Sequence, residues 1–390
     1  MDIARPLFVI YVLWHPNYAE GAVLAEILRK HFRRELYASV TGGTGLSVIF
    51  RSECAPGTSR PIPIDLAGAE TTAVVVLAES SMAEDQDWVA YLRELAKQAN
   101  VGGFGARLFP VAIDRKGLLL EEQAIRWDQW AKAQPPQDLC LPLISELTYS
   151  FCRMLRHHLE HLRRPDEDQS ALFRYLQKVQ IFLSHSKHDD HGEHIAHEIR
   201  DHLYRGRGLG SFFDVHDIPA GVRFDEVLLE QVAHSAVVAI HTDSYSSREW
   251  CRREIIEAKR RNVPLVVANC LGHLDERGFP YMGNVPIVRM DPDRTDKIDI
   301  IIGRLLDEVL KDFLWRCRVE LAKNADDATI FVPRVPELIS LAALPSPTEA
   351  NPTIVYPDPP LSAEEQRLFE TIAPRVRLRC VTEWLAGVVQ

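Results

Sequence analysis

The sequence predicts an α/β protein with two tandem domains, each built on a parallel sheet, and a small α/β region at the C-terminal end. Strands that are apolar along their whole length alternate with amphipathic helices, which is typical of parallel sheets covered by helices on both faces. The same order of strands and helices occurs twice along the 390 residues, and a change in composition follows the second copy. We therefore predict domains at 1–164, 165–323 and 324–390.

The first copy begins with the apolar run Leu7–Trp14. We interpret it as a buried strand and not as a signal peptide, because it lacks a basic leader and a small-residue cleavage site. The predicted elements that follow are a helix at Glu20–His31, a strand at Gly45–Phe50, a strand at Thr71–Ser80, a helix at Trp88–Asn100, a strand at Leu108–Asp114 and a helix at Leu141–Arg163. The polar stretch Arg163–Ser170 joins this copy to the next.

The second copy shows the same pattern more clearly. Its first predicted strand is Val179–Ser184, and a helix at His191–Leu203 follows, in which Ile195, Ile199 and Leu203 recur at helical spacing. The later predicted elements are a strand at Ser211–Val215, an amphipathic segment at Phe224–Val232, a strand at Ala236–Ile240, a helix at Glu249–Arg261, a strand at Pro264–Ala268 and a helix at Lys297–Leu321.

Prolines cluster after about Asn324, where the third region begins. Strands are predicted at Thr353–Tyr356 and Arg377–Val381. Ser362 followed by Glu365 is a capping-box pattern that begins a helix. The sequence assigns no role to this small region.

Composition limits the classes of partner. The net charge is -10 and no long basic patch is present, which argues against direct nucleic-acid binding. No apolar run approaches the roughly 18 residues of a membrane span, so no membrane partner is expected. Seven dispersed cysteines without a CxxC pair fit a reducing compartment, and a cytoplasmic location is predicted.

Six histidines fall within Ser184–His202 and raise the question of a metal site. On a helix, His191, His194 and His197 shift by about 60° per step around the axis, so they do not share one face. No cysteine or third ligand accompanies them at zinc spacing. The sequence therefore predicts no metal site and a solvated helix face.

Three sequence motifs follow one another in the second copy. They are VQIFLSHS at Val179–Ser186, FDVHDIPAGVRF at Phe213–Phe224 and SREWCRREI at Ser247–Ile255. Together they resemble the TIR (Toll/interleukin-1 receptor) domain over Val179–Leu321, which implies a flavodoxin-like sheet. In the first copy we match Trp88 to Trp250. The residue four positions after Trp88 is Leu92 and not a glutamate, so the first copy is interpreted as a degenerate TIR-like domain.

The resemblance implies a role for single residues. In enzymatic TIR domains the corresponding glutamate catalyses NAD cleavage, which makes Glu254 the predicted catalytic residue, with NAD as substrate and no cofactor. The predicted substrate-binding residues are Ser184, His185, Asp214, Gly221 and Trp250. Two alternatives remain open: Trp250 could pack in the core, and Glu254 could be a surface carboxylate. Cys251 is predicted to be a buried cysteine and not a nucleophile.

The resulting expectation is an NAD+ nucleosidase, a glycohydrolase or cyclase that serves as an effector of bacterial anti-phage immunity. TIR–TIR self-association is expected to complete the site, with the loop Asp217–Gly221 reaching a neighbouring chain. An upstream sensor protein or a nucleotide signal is a further possible partner. The alternative is a non-catalytic TIR scaffold or adaptor that recruits other proteins.

Overall fold

The computed structural model describes residues 5–33, 45–101, 103, 105–164, 179–204, 210–212, 232, 235–322, 329–342 and 352–387. The chain divides into two compact units, 1–177 and 178–390. Among the helices of these residues, none has the length and apolar character needed to cross a membrane.

The first unit contains a four-stranded sheet in the order β2-β1-β3-β4, and every neighbouring pair is parallel. Its strands are β1 (Phe8–Trp14), β2 (Ser47–Arg51), β3 (Thr71–Ala78) and β4 (Ala106–Ala112). Every residue of β1 and β3 is buried, which explains why these strands are apolar on both faces.

The described residues of the first unit form the α-helices α1 (Ala19–Phe32), α2 (Ser80–Glu84), α3 (Gln86–Val101), α4 (Trp127–Trp130) and α5 (Cys140–Arg163). Phe151 of α5 packs against Phe8, Phe32 and Phe109, with ring centroids 5.3, 5.2 and 5.5 Å away. Trp88, Leu92 and other apolar residues of α3 bury one face of that helix against the sheet.

The second unit contains a five-stranded parallel sheet in the order β6-β5-β7-β8-β9. Its strands are β5 (Gln180–His185), β6 (Gly210–Phe212), β7 (Ala236–His241), β8 (Leu265–Asn269) and β9 (Ile287–Arg289). This is the doubly wound flavodoxin-like order, and it confirms the predicted fold class. The sequence did not indicate β9, because three half-exposed residues leave no periodic pattern.

Among the described residues, the long helices packed on this sheet are α6 (Asp190–Tyr204), α7 (Glu249–Arg260) and α8 (Ile298–Ala322). The predicted stripe of Ile195, Ile199 and Leu203 on α6 is buried. The predicted strand at Ser211–Val215 is described only to Phe212, and the predicted segment Phe224–Val232 lies, except for Val232, outside the described residues.

The C-terminal region packs within the second unit and forms its own three-stranded parallel sheet, in the order β10-β11-β12. Its elements are β10 (Thr329–Phe331), α9 (Leu338–Ala342), β11 (Thr353–Tyr356), α10 (Ala363–Ile372), β12 (Arg377–Cys380) and α11 (Val381–Leu385). Ser362 and Glu365 form the predicted capping box at the start of α10.

Candidate functional site

Polar side chains gather where β5 and β7 end, at the carboxyl edge of the five-stranded sheet. This is the edge at which open α/β sheets bind ligands. Ser184 lies near the end of β5 and Ser186 just after it, while Thr242, Ser244 and Tyr245 follow β7, and all five are buried. Helix α7 starts just beyond them and brings Glu254 to the same edge.

Glu254 is the central carboxylate of this group. It is the sixth residue of α7, and only 7% of it is exposed. The hydroxyl of Ser184 donates a hydrogen bond to its Oε2 atom, and the same hydroxyl contacts the phenol oxygen of Tyr245. The structure therefore excludes the surface-carboxylate alternative and places Glu254 in a buried polar network.

Two groups with high proton affinity border this carboxylate. Burial, and after it the charges of Cys251 and Glu254, raises the pKa of Tyr245 well above its ordinary value. Burial and then Glu254 also raise the pKa of the Cys251 thiol. The Cys251 thiol donates to the backbone oxygen of His185 at 3.4 Å. Cys251 is thus a buried, protonated thiol, as predicted, and the residue is not set up as a nucleophile.

Asp189 connects the ends of two strands to the start of a helix. Its Oδ2 accepts hydrogen bonds from Thr242, at 2.7 Å, and from Ser244. Its Oδ1 accepts the N–H of Gly192 at 2.6 Å, which caps the first turn of α6. Ser186 and Ser244 are also in contact, with their hydroxyl oxygens 2.7 Å apart. The edge is therefore rigidly cross-linked by hydroxyl and carboxylate groups.

A serine, a histidine and an aspartate meet beside this edge without forming a hydrolytic triad. Nε2 of His241 lies 2.9 Å from Oδ2 of Asp275 and 3.1 Å from the Ser246 hydroxyl. A triad needs the serine and the acid on opposite ring nitrogens, whereas here they share one. The three side chains instead tie the loop after β8 to the end of β7.

The predicted substrate-binding residues have different environments. Ser184 is fully buried, and its hydroxyl bonds to Glu254. His185 is buried, and its Nδ1 lies 3.1 Å from the Leu183 oxygen. Trp250 is 37% exposed, and the Arg253 guanidinium lies 4.2 Å from its ring centroid, so the core-packing alternative for Trp250 is wrong. Asp214 and Gly221 lie outside the described residues.

Sequence analysis missed Tyr245 and Asp189 as members of the site. Asp189 stands in the acidic turn after β5, so its position at a strand end was an available signal. Tyr245 gave none, because a tyrosine nine residues before a glutamate has no recognisable spacing. Only the turn at Tyr245–Ser247 directs it towards Ser184.

Two histidines of α6 lie beside carboxylates of other segments. His191 lies 3.1 Å from Asp293 and His202 lies 3.0 Å from Asp299. Over the described residues, no three histidine, cysteine, aspartate or glutamate side chains converge as a metal site would require. The absence of a bound metal stays a prediction, and a test is given below.

The first unit carries different residues at the corresponding positions. Trp88 is the third residue of α3, as Cys251 is of α7, and both are buried. The match of Trp88 to Trp250 was therefore wrong by one residue. The sixth residue of α3 is Tyr91, which takes the place of Glu254, and its hydroxyl accepts the N–H of Ile64 at 3.1 Å.

A family model for the TIR domain matches residues 181–299 of this chain. The match includes β5 from its second residue, the turn after β7 and helix α7, and therefore all the residues of the polar network around Glu254. The second unit thus contains a TIR domain. A comparison with curated proteins finds no match to the chain.

Proposed function

We propose that the TIR domain of this protein cleaves the bond between nicotinamide and ribose in NAD+. The observation that carries the proposal is the placement of Glu254: a nearly buried carboxylate at the carboxyl edge of a parallel sheet, held by the Ser184 hydroxyl. A carboxylate in such surroundings has a fixed orientation and acts in a medium of low dielectric, where its charge is felt strongly.

The reaction suits a site with one carboxylate. Most glycosidases need a second carboxyl group to protonate the leaving oxygen. Nicotinamide leaves NAD+ as a neutral molecule that takes the electron pair of the broken C–N bond, so no acid is required. Positive charge develops on the ribose, and Glu254 stabilises it. Water then forms the new bond to the ribose carbon and releases a proton, or an internal nucleophile closes a cyclic product.

Trp250 is suited to bind the nicotinamide ring. It stands one helical turn before Glu254 on α7, and more than a third of it is accessible. An exposed aromatic ring offers a flat face for stacking. Arg253 already covers one part of this ring at 4.2 Å, which orients it and leaves a ready-made stacking surface.

The biological role that we propose for the protein depends on this reaction. We infer a cytoplasmic effector of bacterial anti-phage immunity that consumes NAD+ after self-association, with the first unit as a degenerate TIR-like domain. The shared strand order of the two sheets and the replacement of Glu254 by Tyr91 support that reading of the first unit. An upstream sensor or nucleotide signal would act as the trigger.

A scaffold function is the second candidate. The observation that favours it is that Glu254 already has a hydrogen-bond partner inside the protein, as a purely structural carboxylate would. In that case the exposed Trp250 and Arg253 would bind another protein, and Glu254 would serve folding alone.

The substitution Glu254→Gln separates the two functions. It keeps size and hydrogen bonding but removes the charge that stabilises the ribosyl cation. We expect NAD+ cleavage to fall by at least about a hundredfold, equivalent to roughly 3 kcal/mol of barrier, with the fold intact. Nicotinamide release from purified full-length protein, measured by chromatography, checks this.

Two matched controls make the same substitution, glutamate to glutamine, at other positions. Glu257→Gln alters a carboxylate on the same helix that pairs with Arg261 at 2.8 Å on the surface, and Glu94→Gln alters an exposed carboxylate of α3. Both should keep parent activity. Parent-rate turnover by Glu254→Gln, or an inactive parent protein at every concentration, would favour the scaffold.

A further inference from the structure

The donor and the acceptor of each hydrogen bond around Glu254 can be assigned from the protons that the side chains carry. Ser184 carries one hydroxyl proton and donates it to Oε2 of Glu254. The Ser184 oxygen must therefore accept in its contact with Tyr245, and the phenol is the donor. The chain of hydrogen bonds runs from Tyr245 through Ser184 to the carboxylate.

Burial preserves this series of hydrogen bonds. Ser184 and Tyr245 have no exposed surface, so neither hydroxyl turns towards water. Because burial raises the pKa of Tyr245 well above its ordinary value, the phenol stays protonated and is a constant donor. Hydrogen bonds in series polarise one another, so the second donor strengthens the first.

The fold itself does not require these residues. At the three corresponding positions the first unit has Leu13, Met82 and Tyr91. Each stands where its counterpart stands: next to last in the first strand of its unit, four residues before the helix, and sixth in that helix. The same strand order is thus built with a leucine and a methionine, both fully buried, in place of the two hydroxyl donors. The polar chain therefore serves something other than the architecture.

We propose that Tyr245 is a positioning residue that, through Ser184, orients the Glu254 carboxylate and favours its ionised form. The proposal rests on the proposed function of Glu254 in NAD+ cleavage. Tyr245 itself does not touch the substrate, because its side chain is fully enclosed and its hydroxyl is engaged with Ser184.

Among the described residues, the charge of Glu254 acts on Tyr245 and on Cys251. Cys251 is the second group coupled to Glu254, and it stays a thiol, since burial and Glu254 both raise its pKa. Arg248 and Asp189 act on Cys251 from outside the chain of hydrogen bonds. Lys259, at the far end of α7, binds Glu337, which directly precedes α9. Because their pKa values are raised, neither Tyr245 nor Cys251 ionises at acidic pH, so neither contributes to the acidic limb of a pH profile.

A double-mutant cycle on the full-length protein tests the series arrangement. We expect Tyr245→Phe to lower kcat about tenfold, which corresponds to about 1.4 kcal/mol, and to leave KM within about twofold. The acidic limb of its kcat/KM profile should move to higher pH, because the ionised carboxylate has lost part of its stabilisation. In a Ser184→Ala background the same substitution should change kcat less than about twofold, since the series of hydrogen bonds from Tyr245 to Glu254 is already interrupted.

The matched control is Tyr356→Phe. Tyr356 is also fully buried, and its hydroxyl accepts the N–H of Leu361 at 2.9 Å in the C-terminal region. This variant should keep the parent kcat and pH profile. Equal, independent losses from Tyr245→Phe in both backgrounds would assign Tyr245 to packing alone and overturn the proposal.

A second measurement does not depend on activity. In protein labelled with ¹³C at the glutamate carboxyl carbon, the signal lost in Glu254→Gln identifies Glu254. Its titration midpoint should rise in Tyr245→Phe and in Ser184→Ala, the latter without altering the tyrosine. An unchanged midpoint in both variants overturns the proposal. A shifted midpoint in a protein that does not cleave NAD+ would refute the proposed function and leave the hydrogen-bond chain standing.

Discussion

Trp88 and Trp250 show how far the surroundings of a single residue can differ between similar sequences. Both follow an acidic residue near the start of a helix, yet Trp88 has no exposed surface and Trp250 has more than a third exposed. The cause is one step of helical rotation: Trp88 is third in its helix and Trp250 second, a difference of about 100°. That rotation turns Trp250 from the sheet towards solvent and Arg253.

The histidines of α6 give a prediction at the residue scale. The described carboxylates beside them are Asp293, Asp299 and, at 3.8 Å, Glu193, and within the described residues no three potential metal ligands converge. We expect treatment with EDTA to leave the melting temperature and NAD+ cleavage unchanged, because a structural metal would contribute folding free energy that chelation removes. Differential scanning fluorimetry and elemental analysis check this, and stoichiometric zinc or a chelator-sensitive melt would contradict it.

Helix α7 is the element that joins the site to the rest of its unit. Its first half carries Trp250 and Glu254, and its second half is fixed by Lys259. The buried Lys259 ammonium donates to both oxygens of Glu337, at 2.9 and 2.8 Å, and to the Gly283 oxygen at 2.7 Å. The C-terminal region thereby holds the end of the helix that bears the proposed catalytic residue.

This pairing predicts a stability effect at the element scale. Glu337→Ala leaves the Lys259 ammonium buried without its carboxylate, and we expect a loss of about 3 kcal/mol in the free energy of unfolding. Urea denaturation of the full chain measures it. Replacing both partners, Lys259→Met with Glu337→Leu, should recover most of the loss, because no unpaired charge remains.

The control for this prediction is the surface pair on the same helix. Glu257→Gln breaks contacts to the exposed Arg260 and Arg261, and it should change the free energy of unfolding by less than about 1 kcal/mol. An equal effect of Glu337→Ala and Glu257→Gln would show that the buried pair does not hold the helix.

The four-stranded sheet of the first unit and the five-stranded sheet of the second unit share the order of their first four strands. In the first unit the corresponding edge is closed by its own residues: Glu79 accepts the N–H groups of Ser81 and Met82, and Asp114 accepts those of Ser80 and Gly117. The described residues of the first unit thus close this edge without the polar network of the TIR domain.

Self-association is the prediction at this scale. We expect the specific NAD+-cleaving activity to rise with protein concentration, on the hypothesis that the loop Asp217–Gly221, which lies outside the described residues, completes the site of another chain. Gly221→Pro should abolish the rise, since proline fixes φ and removes a backbone donor. Light scattering should show that the Glu254→Gln variant associates like the parent protein. This variant therefore separates assembly from catalysis. Full, concentration-independent activity of a monomer would contradict this.

The sequence by itself determined the elements and their order. The buried strands β1, β3, β5 and β7 are continuous apolar runs, and the long helices have apolar residues at helical spacing, because these periods follow from backbone geometry. It also pointed to Glu254 and Ser184, since three local motifs keep their residues close together in the chain. Short elements such as β9 and α9 were not predicted, because three to five residues carry too little pattern.

Only the tertiary structure decided the surroundings of these residues. Ser184, Tyr245 and Glu254 come from a strand, a turn and a helix that are far apart in the sequence, and their hydrogen bonds exist only once the sheet is formed. The burial of Glu254, the exposure of Trp250 and the pairing of Lys259 with Glu337 likewise depend on packing between elements. Periodicity along the chain specifies which face of an element is apolar, whereas the partner of a polar group is set by whichever element folding brings against it.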